Sequence, residues 1–399
     1  MLSTKQETER QLDPRVRAAE MRARFRKKFG GEPELWARAP GRVDLMGSHT
    51  DYNLGFVLTL PISRDTWIAA RATGGTSVRV HSMNFNADDR FELPVAGRST
   101  DAKWGNYVRG VAATFAQAGY PAGGCDLLIQ SSVPVESGLS SSAALECALA
   151  TALAGLFGWN LSPERKALLC QKAEHDFAGV RCGILDQYSS CLGRRGCALL
   201  LDCRDLSTRA IRIADGIQVV ICNTMARRRL SGGEYAQRRA ECEQGAAVLG
   251  VSSLRELTLE AIDARSHELP AQVTKRCRFI VEESARAAEL AQALEAGDRT
   301  AVSRLCGDSF AGARDLYEIC SDSMLAMMEA MLNAPGVIGA RQAGAGFGGC
   351  MVSMVETNSV DAFSQGVREA YARSTGIIPE VYAVHAAEGA QLIDSNILP

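Results

Sequence analysis

The chain has 399 residues, of which 46% are hydrophobic and 23% are charged, and its formal net charge at pH 7 is −2. This length and composition predict a globular protein of two domains, and the near-neutral charge provides no attraction for nucleic acid or an anionic membrane. The 13 cysteines include no Cys-x-x-Cys pair, which argues against a zinc site and for free thiols in a reducing cytoplasm.

The first predicted element is a basic helix over residues 8–29, which ends at two glycines and which we interpret as a solvated face. The residues before it contain no apolar signal segment, and the longest apolar run, residues 143–159, is too short to span a bilayer. We therefore expect a soluble, cytoplasmic protein. A strand follows at Leu35–Ala39 and is predicted to end at Pro40-Gly41, and a polar run from Arg42 to Asn53 comes next. Further strands are predicted at 57–60, 66–70 and 78–81.

A helix beginning near Trp104 and a strand at 125–129 lead into the stretch PVESGLSSSAALE, residues 134–146, whose first part we call the serine loop (134–143). A glycine turn that opens a helix can bind a phosphate, because the first helical N–H groups lack partners and the helix dipole adds positive charge there. The serines at 140–142 could equally cap the helix predicted at 140–157. The stretch by itself leaves both interpretations open.

The rest of the chain is predicted to contain more helix than strand. A helix at 163–178 precedes the polar stretch 182–188, strands at 198–201, 208–213 and 219–222, and helices at 232–249, 269–295, 298–309 and 322–333. A final strand–loop–strand unit (337–341, 344–349, 350–355), a helix at 359–373 and a strand at 380–385 complete it. Early strands and later helices predict a two-domain α+β arrangement. We place the domains at 1–205 and 206–399, with a last strand that could return to the first domain.

The loop Gly344–Gly349, which we call the glycine loop, has the spacing of a dinucleotide-binding fingerprint. That fingerprint requires a helix after the glycines, whereas residues 350–355 are typical of a strand. The loop is therefore predicted to be the tip of a hairpin. Four glycines in six positions exceed what a turn requires and favour close approach of a backbone or a ligand. The sequence also lacks the P-loop motif.

Charged residues in the polar stretches are candidates for chemistry. Arg42, Asp51 and Asp186 would each, taken alone, more often form a surface salt bridge than a catalytic group. Glu174 and Asp186 lie in or just after an apolar helical stretch, where an unpaired acid is costly. Buried acids of this kind are stabilised by cations or metals, which favours a functional role.

Three stretches, in this order, resemble the signatures of the GHMP small-molecule kinases and in particular of the galactokinase family. They are APGRVDLMGSHTDY at 39–52, the serine loop and the glycine loop, and residues 104–108, 182–188 and 233–235 add further galactokinase-like features. The matches span roughly residues 20 to 385. The resemblance implies a two-domain α+β fold: an amino-terminal domain like ribosomal protein S5 domain 2, and a carboxy-terminal GHMP-type α/β sandwich. The active site is expected in the cleft between them.

The resemblance also implies that the protein uses ATP and Mg²⁺ to phosphorylate the anomeric hydroxyl of galactose. Asp186 is expected to act as the base with Arg42 beside it, and Ser142 and Glu174 are expected to hold Mg²⁺. The implied sugar-binding residues are Arg42, Ser48, His49, Asp51, Gly183, Asp186 and Tyr235. The implied ATP-binding residues are Trp104, Pro134, Gly138, Leu139, Ser140, Ser141, Ser142, Ala143 and Gly346. Nothing in the sequence separates a monomer from a homodimer.

The chain departs from the family pattern at three places, one of which is Ser323-Met324-Leu325, where the family has Glu-Leu-Asp. Ser48 stands where most galactokinases have a glutamate that is associated with the C6 hydroxyl of the sugar, and Asp44 replaces the usual asparagine. L-Arabinose lacks the C6 hydroxymethyl group, so an L-arabinokinase is an alternative to a galactokinase that tolerates Ser48. Another alternative is a non-catalytic galactose sensor, although the serine loop that is defective in such relatives is complete here.

Overall fold

The computed structural model describes residues 13–226 and 233–394, which form two β-sheets with helices packed against them. The strands are β1 (Leu35–Met46), β2 (Phe56–Ala72), β3 (Ser77–Ser82), β4 (Ala87–Glu92), β5 (Cys125–Ser131), β6 (Cys197–Asp202), β7 (Thr208–Arg212), β8 (Ile217–Asn223), β9 (Val337–Gln342), β10 (Cys350–Glu356), β11 (Glu380–Val384) and β12 (Gln391–Leu392). The α-helices are α1 (Pro14–Phe29), α2 (Gly105–Gln117), α3 (Ser141–Phe157), α4 (Pro163–Ala173), α5 (Leu185–Leu192), α6 (Glu234–Leu249), α7 (Leu259–Ala264), α8 (Ala271–Ala296), α9 (Arg299–Asp315), α10 (Asp322–Leu332) and α11 (Val360–Thr375).

The first sheet has the strand order β12-β1-β2-β5-β3-β4, and β6 pairs with both β2 and β7. Its pairs are antiparallel except for the parallel pair β3–β5. The short carboxy-terminal strand β12 pairs with β1 through Leu392 and Ala37. The second sheet is antiparallel in the order β11-β8-β10-β9. The chain passes from the first sheet to the second between Arg212, the end of β7, and Ile217, the start of β8. The domain boundary at 205/206 stays a prediction.

Two apolar cores position the site. The first lies between the first sheet and helices α2 to α5, and it contains Ile68, Val111 and Leu149. The second contains residues of both sheets, among them Val43 and Val352, together with residues of α8 and α9. Because this shared core holds the end of β1 against the hairpin of β9 and β10, the loops that leave these strands meet at the same place.

The main departure from the predicted elements is in the first strands. β1 does not end at Pro40-Gly41 but continues to Met46, so that prediction was wrong. The pairing of β1 with β2 shifts register between Pro40 and Arg42. A bulge tolerates a proline, because the N–H that proline lacks falls where the ladder is already interrupted. The two strands predicted at 57–60 and 66–70 are likewise one strand, β2.

Helix α1 begins at Pro14, and residues 8–12 of the predicted basic helix lie outside the described residues. Its basic residues are largely on the solvent side, but Arg17 is 3% exposed and donates to Asp65 and Gln130. The 13 cysteines are free thiols, as predicted. Within the two described ranges, no helix combines the length and the apolar character that crossing a membrane requires.

Candidate active site

Arg42 of β1 contacts the serine loop. The Arg42 main-chain N–H donates to the Leu139 carbonyl at 3.1 Å, and its Nη1 donates to the Gly138 carbonyl at 2.6 Å. The N–H of Cys350, the first residue of β10, donates to the Ser137 carbonyl at 3.1 Å. The serine loop is therefore fixed to the first sheet on one side and to the second sheet on the other.

The guanidinium of Arg42 is also paired with Asp186, in the first turn of α5. Nε donates to Asp186 Oδ1 at 2.8 Å, and the same nitrogen lies 3.1 Å from Asp44 Oδ1. Burial alone would lower the pKa of Arg42, but the charges of Asp186 and Asp44 raise it above its ordinary value. Arg42 is therefore a fixed cation. The Asp186 side chain is 19% exposed and remains accessible to a ligand.

Asp51 follows β1 in a short 3-10 turn and lies against Gly183. A Cβ at position 183 would be 1.6 Å from Asp51 Oδ2, so any other residue there would displace the Asp51 carboxylate. Burial raises the pKa of Asp51 to about 7, and the charge of Asp186 reinforces the shift. Burial likewise raises the pKa of Tyr235, with further contributions from Asp51 and Asp186. These side chains therefore belong to one cluster of predicted sugar contacts.

His49 connects this region to the glycine loop. Its Nε2 lies 3.0 Å from the Ala345 carbonyl and its Nδ1 lies 2.8 Å from the Tyr52 hydroxyl. Burial lowers the pKa of His49 to about 4, so the ring is neutral. Because a carbonyl can only accept, Nε2 carries the hydrogen and Nδ1 accepts from Tyr52. With both ring nitrogens engaged, contact of His49 with a sugar would have to come through its main chain.

Ser48 is turned into a buried polar network. It is 1% exposed, its Oγ donates to Asp44 Oδ2 at 3.3 Å, and it accepts from Arg341 Nη2 at 3.4 Å. The same Arg341 nitrogen donates to Glu283 at 2.8 Å, and the Gly47 N–H donates to that carboxylate at 3.1 Å. The hydroxyl of Ser48 is therefore occupied by protein groups that join the end of β1 to β9 and α8.

The serine loop carries left-handed backbone at Glu136, Gly138 and Ser140, with φ values of 58°, 86° and 58°. Ser140 is the N-cap residue of α3, but its side chain makes no capping hydrogen bond. Its Oγ is buried without a hydrogen-bond partner among the described residues. The observed geometry therefore does not support the helix-cap interpretation and favours an anion at this helix end.

The other predicted ATP contacts of this loop differ in exposure. Leu139 and Ala143 are fully buried, whereas Pro134, Ser141 and Ser142 are partly exposed. Of the three serines, the last two therefore remain accessible to a ligand.

Glu174 opens a π-helical turn directly after α4 and lies beside Ser142. Burial raises the pKa of Glu174 to about 7, the charge of Asp186 adds to this, and a hydrogen bond from Ser142 opposes it. A carboxylate and a hydroxyl are a donor set that Mg²⁺ accepts when phosphate oxygens and water supply the remaining ligands. No cluster of three or more His, Cys, Asp or Glu side chains within residues 13–226 and 233–394 could hold a metal alone. The residues present thus fit a cation that is shared with a phosphate.

The glycine loop is the tip of an antiparallel hairpin between β9 and β10, which confirms the predicted hairpin. A Cβ at Gly344 would lie 3.2 Å from the Gly138 carbonyl, and one at Gly346 would lie 2.7 Å from Ile319 Cβ.

Trp104 is the N-cap residue of α2, and its ring centre lies 6.2 Å from that of Phe85, which is 52% exposed. The ATP contacts of Trp104 and Gly346 stay predictions.

Sequence reasoning missed four fully buried polar side chains around the site, namely Glu146, Gln187, Glu283 and Arg341. Only Glu146 carried a local signal, since it is a lone acid within an apolar helical run. The others depend on long-range pairing that no local pattern contains.

Comparison with known protein families gives three matches along the chain. Residues 23–72 match the galactokinase galactose-binding signature, residues 106–194 match the GHMP kinases N terminal domain, and residues 290–373 match the GHMP kinases C terminal domain. These ranges include the strand that carries Arg42, the serine loop and the glycine loop.

Curated relatives match over nearly their full length. A galactokinase of Roseiflexus sp. (strain RS-1) is 41% identical over 385 residues, which is 95% of this chain and 98% of that protein. The galactokinase of Homo sapiens is 39% identical over 383 residues, covering 94% and 96%.

Solved structures agree with the sequence matches. A Lactococcus lactis galactokinase complexed with galactose superposes with a TM-score of 0.89 at 33% identity, covering 94% of this chain and 99% of that one. The Methanococcus jannaschii mevalonate kinase shares the fold, with a TM-score of 0.65 at 15% identity over 90% of this chain and 99% of that one.

Proposed function

This chain belongs to the galactokinase family of the GHMP kinases, and on that premise we propose that it transfers the γ-phosphoryl group of ATP to the anomeric hydroxyl of galactose. The products are galactose 1-phosphate and ADP. The observation that carries the proposal is the contact of Arg42 with both Asp186 and the Gly138 carbonyl of the serine loop. One side chain thereby joins an accessible acid to an anion-binding helix end.

The residues have distinct roles in this proposal. The sugar lies against Asp51, Gly183 and Tyr235 with its anomeric hydroxyl at Asp186, which accepts or orients the hydroxyl proton. The main-chain N–H groups that open α3 bind the phosphates, and Arg42 adds positive charge beside the transferring phosphoryl group.

The divalent cation in this proposal is Mg²⁺, which Ser142 and Glu174 would hold from the protein side. When bound, it would neutralise charge that develops on the phosphate oxygens. Glu174, buried and with a raised pKa, is stabilised as a carboxylate by such a cation. Ser141 is the neighbouring candidate for the hydroxyl ligand.

L-Arabinose is a second candidate substrate, and the environment of Ser48 is the observation that favours it. The Ser48 hydroxyl is bonded to Asp44 and Arg341 and is 1% exposed. It therefore offers no charged group to a C6 hydroxyl. A missing charged hydrogen bond changes the preference between two sugars by about 1.5–3 kcal/mol, so both remain substrates in this proposal.

A substrate panel tests the proposal. Purified protein with ATP and Mg²⁺ should release ADP with galactose and with L-arabinose, and 2-deoxygalactose, N-acetylgalactosamine and galacturonate define the tolerance at C2 and C6. An Asp186→Asn variant is the matched control, because it keeps the size of the side chain. If no aldose supports ADP release, the enzyme proposal fails and a binding protein such as a sugar sensor replaces it.

A further inference from the structure

Beneath Glu174 lie two fully buried polar side chains that the proposed mechanism does not use. Glu146 is on α3, shortly after the serine loop, and Gln187 directly follows Asp186 on α5. The Gln187 amide nitrogen donates to Glu174 Oε2 at 2.7 Å and to Glu146 Oε2 at 3.2 Å. The Gln187 amide thus connects the helix that follows the serine loop to the predicted cation ligand, Glu174. Gln187 itself directly follows the predicted base, Asp186.

The amide of Gln187 can face these carboxylates in only one way. A glutamine amide nitrogen carries two hydrogens and can donate to both side chains, whereas its carbonyl oxygen can only accept and could not pair with the Glu174 carboxylate. Both hydrogens are therefore used, one on Glu146 and one on Glu174. The Cys182 thiol also donates to Glu174 Oε2, at 3.4 Å. Two donors hold this oxygen, and a further hydrogen bond joins the carboxylate to Ser142, the other predicted cation ligand.

The arrangement is not one that maximises stability. Glu146 Oε1 and Gln187 Oε1 are buried and have no hydrogen-bond partner among the described residues. Unpaired buried polar atoms lose their hydration without compensation, and well-packed apolar side chains of similar size are often more stable at such positions. Burial, together with the charge of Glu174, raises the pKa of Glu146 well above its ordinary value. An arrangement with such costs is expected where position matters more than stability.

We propose that Glu146 and Gln187 are positioning residues that aim the Glu174 carboxylate at the divalent cation. Glu146 orients the amide of Gln187, and the amide in turn fixes Glu174. This inference rests on the proposed function, which assigns the cation to Ser142 and Glu174. Removing a side chain that hydrogen-bonds to a metal ligand commonly lowers the metal affinity by about 10- to 100-fold.

Binding of Mn²⁺, used as a paramagnetic substitute for Mg²⁺, provides a readout that does not depend on turnover. The free Mn²⁺ signal in electron paramagnetic resonance is measured as wild type and variants are titrated with a non-hydrolysable ATP analogue present. Gln187→Met and Glu146→Met should each weaken Mn²⁺ binding by about 10-fold or more. Glu146→Gln keeps a carbonyl acceptor for Gln187 and should bind within about 3-fold of wild type.

A control variant and thermal melting separate positioning from general damage. Thr151→Val removes a buried hydrogen bond to the Cys147 carbonyl on the same helix, α3, and the acceptor of a hydrogen bond from Lys166, and neither bond involves Glu174. It should leave Mn²⁺ affinity unchanged. The melting temperature of Glu146→Met should equal or exceed that of wild type, although its Mn²⁺ affinity falls. If Glu146 served only stability, Glu146→Met would melt at a lower temperature than wild type and would bind Mn²⁺ as wild type does.

The outcomes distinguish this inference from the proposed function. If Glu174→Gln loses Mn²⁺ while Gln187→Met and Glu146→Met bind it as wild type does, the positioning role is overturned and the cation site stands. If Glu174→Gln binds Mn²⁺ normally, the cation site of the proposed function is itself wrong. If Gln187→Met does not fold, the comparison of Glu146→Met with Glu146→Gln decides, and equal affinities would overturn the inference.

Discussion

Replacing Gly183 with alanine is the change whose effect follows most directly from the geometry. The added Cβ would lie 1.6 Å from Asp51 Oδ2, 2.1 Å from its Cγ and 2.7 Å from its Oδ1. The carboxylate must retreat by about 1.4 Å to reach a tolerable separation of 3.0 Å. This movement also disturbs the hydrogen bond of 2.9 Å from the Tyr52 N–H to Oδ1. Asp51 would then leave the position in which we propose that it contacts the sugar.

Losing one charge-assisted hydrogen bond between Asp51 and the sugar costs about 1.5–3 kcal/mol. This corresponds to about a 10- to 150-fold fall in kcat/KM for galactose. The effect should lie mainly in the KM for galactose, and the KM for ATP should change by less than about 2-fold, because the serine loop is untouched. Initial rates from a coupled ADP assay measure both constants. Gly97→Ala is the matched control, since a Cβ there has no neighbour within 4 Å. A Gly183→Ala enzyme with an unchanged KM for galactose would refute the placement of Asp51 at the sugar.

Three further predictions concern the same cluster. Asp186→Asn should lower kcat by about 10²- to 10⁴-fold while nucleotide binding, followed by calorimetry, is kept, and near-normal turnover would show that Asp186 is neither base nor positioner. Ser48→Glu combined with Asp44→Asn, which avoids two acids in contact, should raise the galactose-to-arabinose ratio of kcat/KM by about 10-fold or more, and an unmoved ratio would contradict the interpretation of position 48. Because burial and the charge of Asp186 raise the pKa of Asp51 to about 7, the ligand-free folded protein holds a proton there that the unfolded chain releases at lower pH. Asp51→Asn should therefore gain stability relative to wild type in urea unfolding as pH rises from about 4 through 7, and a gain that shrinks with pH would contradict this.

The chemistry of the site could be predicted from the sequence because it is carried by contiguous stretches. A strand, a glycine turn and a serine run occur together at 125–143, and the strand after Gly349 excluded a dinucleotide fold. The extent of β1 could not be predicted in this way. Its bulge at Pro40 is stabilised by pairing with β2, which is a tertiary effect that overrides the local signal of a proline and a glycine.

The side chains around the site were harder to predict than the loops. Ser48 lies in a motif, but its burial against Arg341 depends on a strand nearly 300 residues further along the chain. Gln187 and Glu146 are brought together by the packing of α3 on α5, and no local pattern predicts this pairing. Long-range pairs of this kind are set by the fold as a whole, so the sequence shows which residues could act but not which of them face one another.

In the proposed reaction the phosphoryl group passes to the anomeric hydroxyl held at Asp186. Phosphorus-31 NMR of the products made from ATP, Mg²⁺ and galactose shows which hydroxyl is phosphorylated, with Asp186→Asn measured beside the wild type. We predict a single sugar phosphate whose phosphorus couples to the anomeric proton, formed in equal amounts with ADP by the wild type and nearly absent with the variant. A phosphate on any other hydroxyl, or equal product from Asp186→Asn, would show that Asp186 does not hold the hydroxyl that reacts.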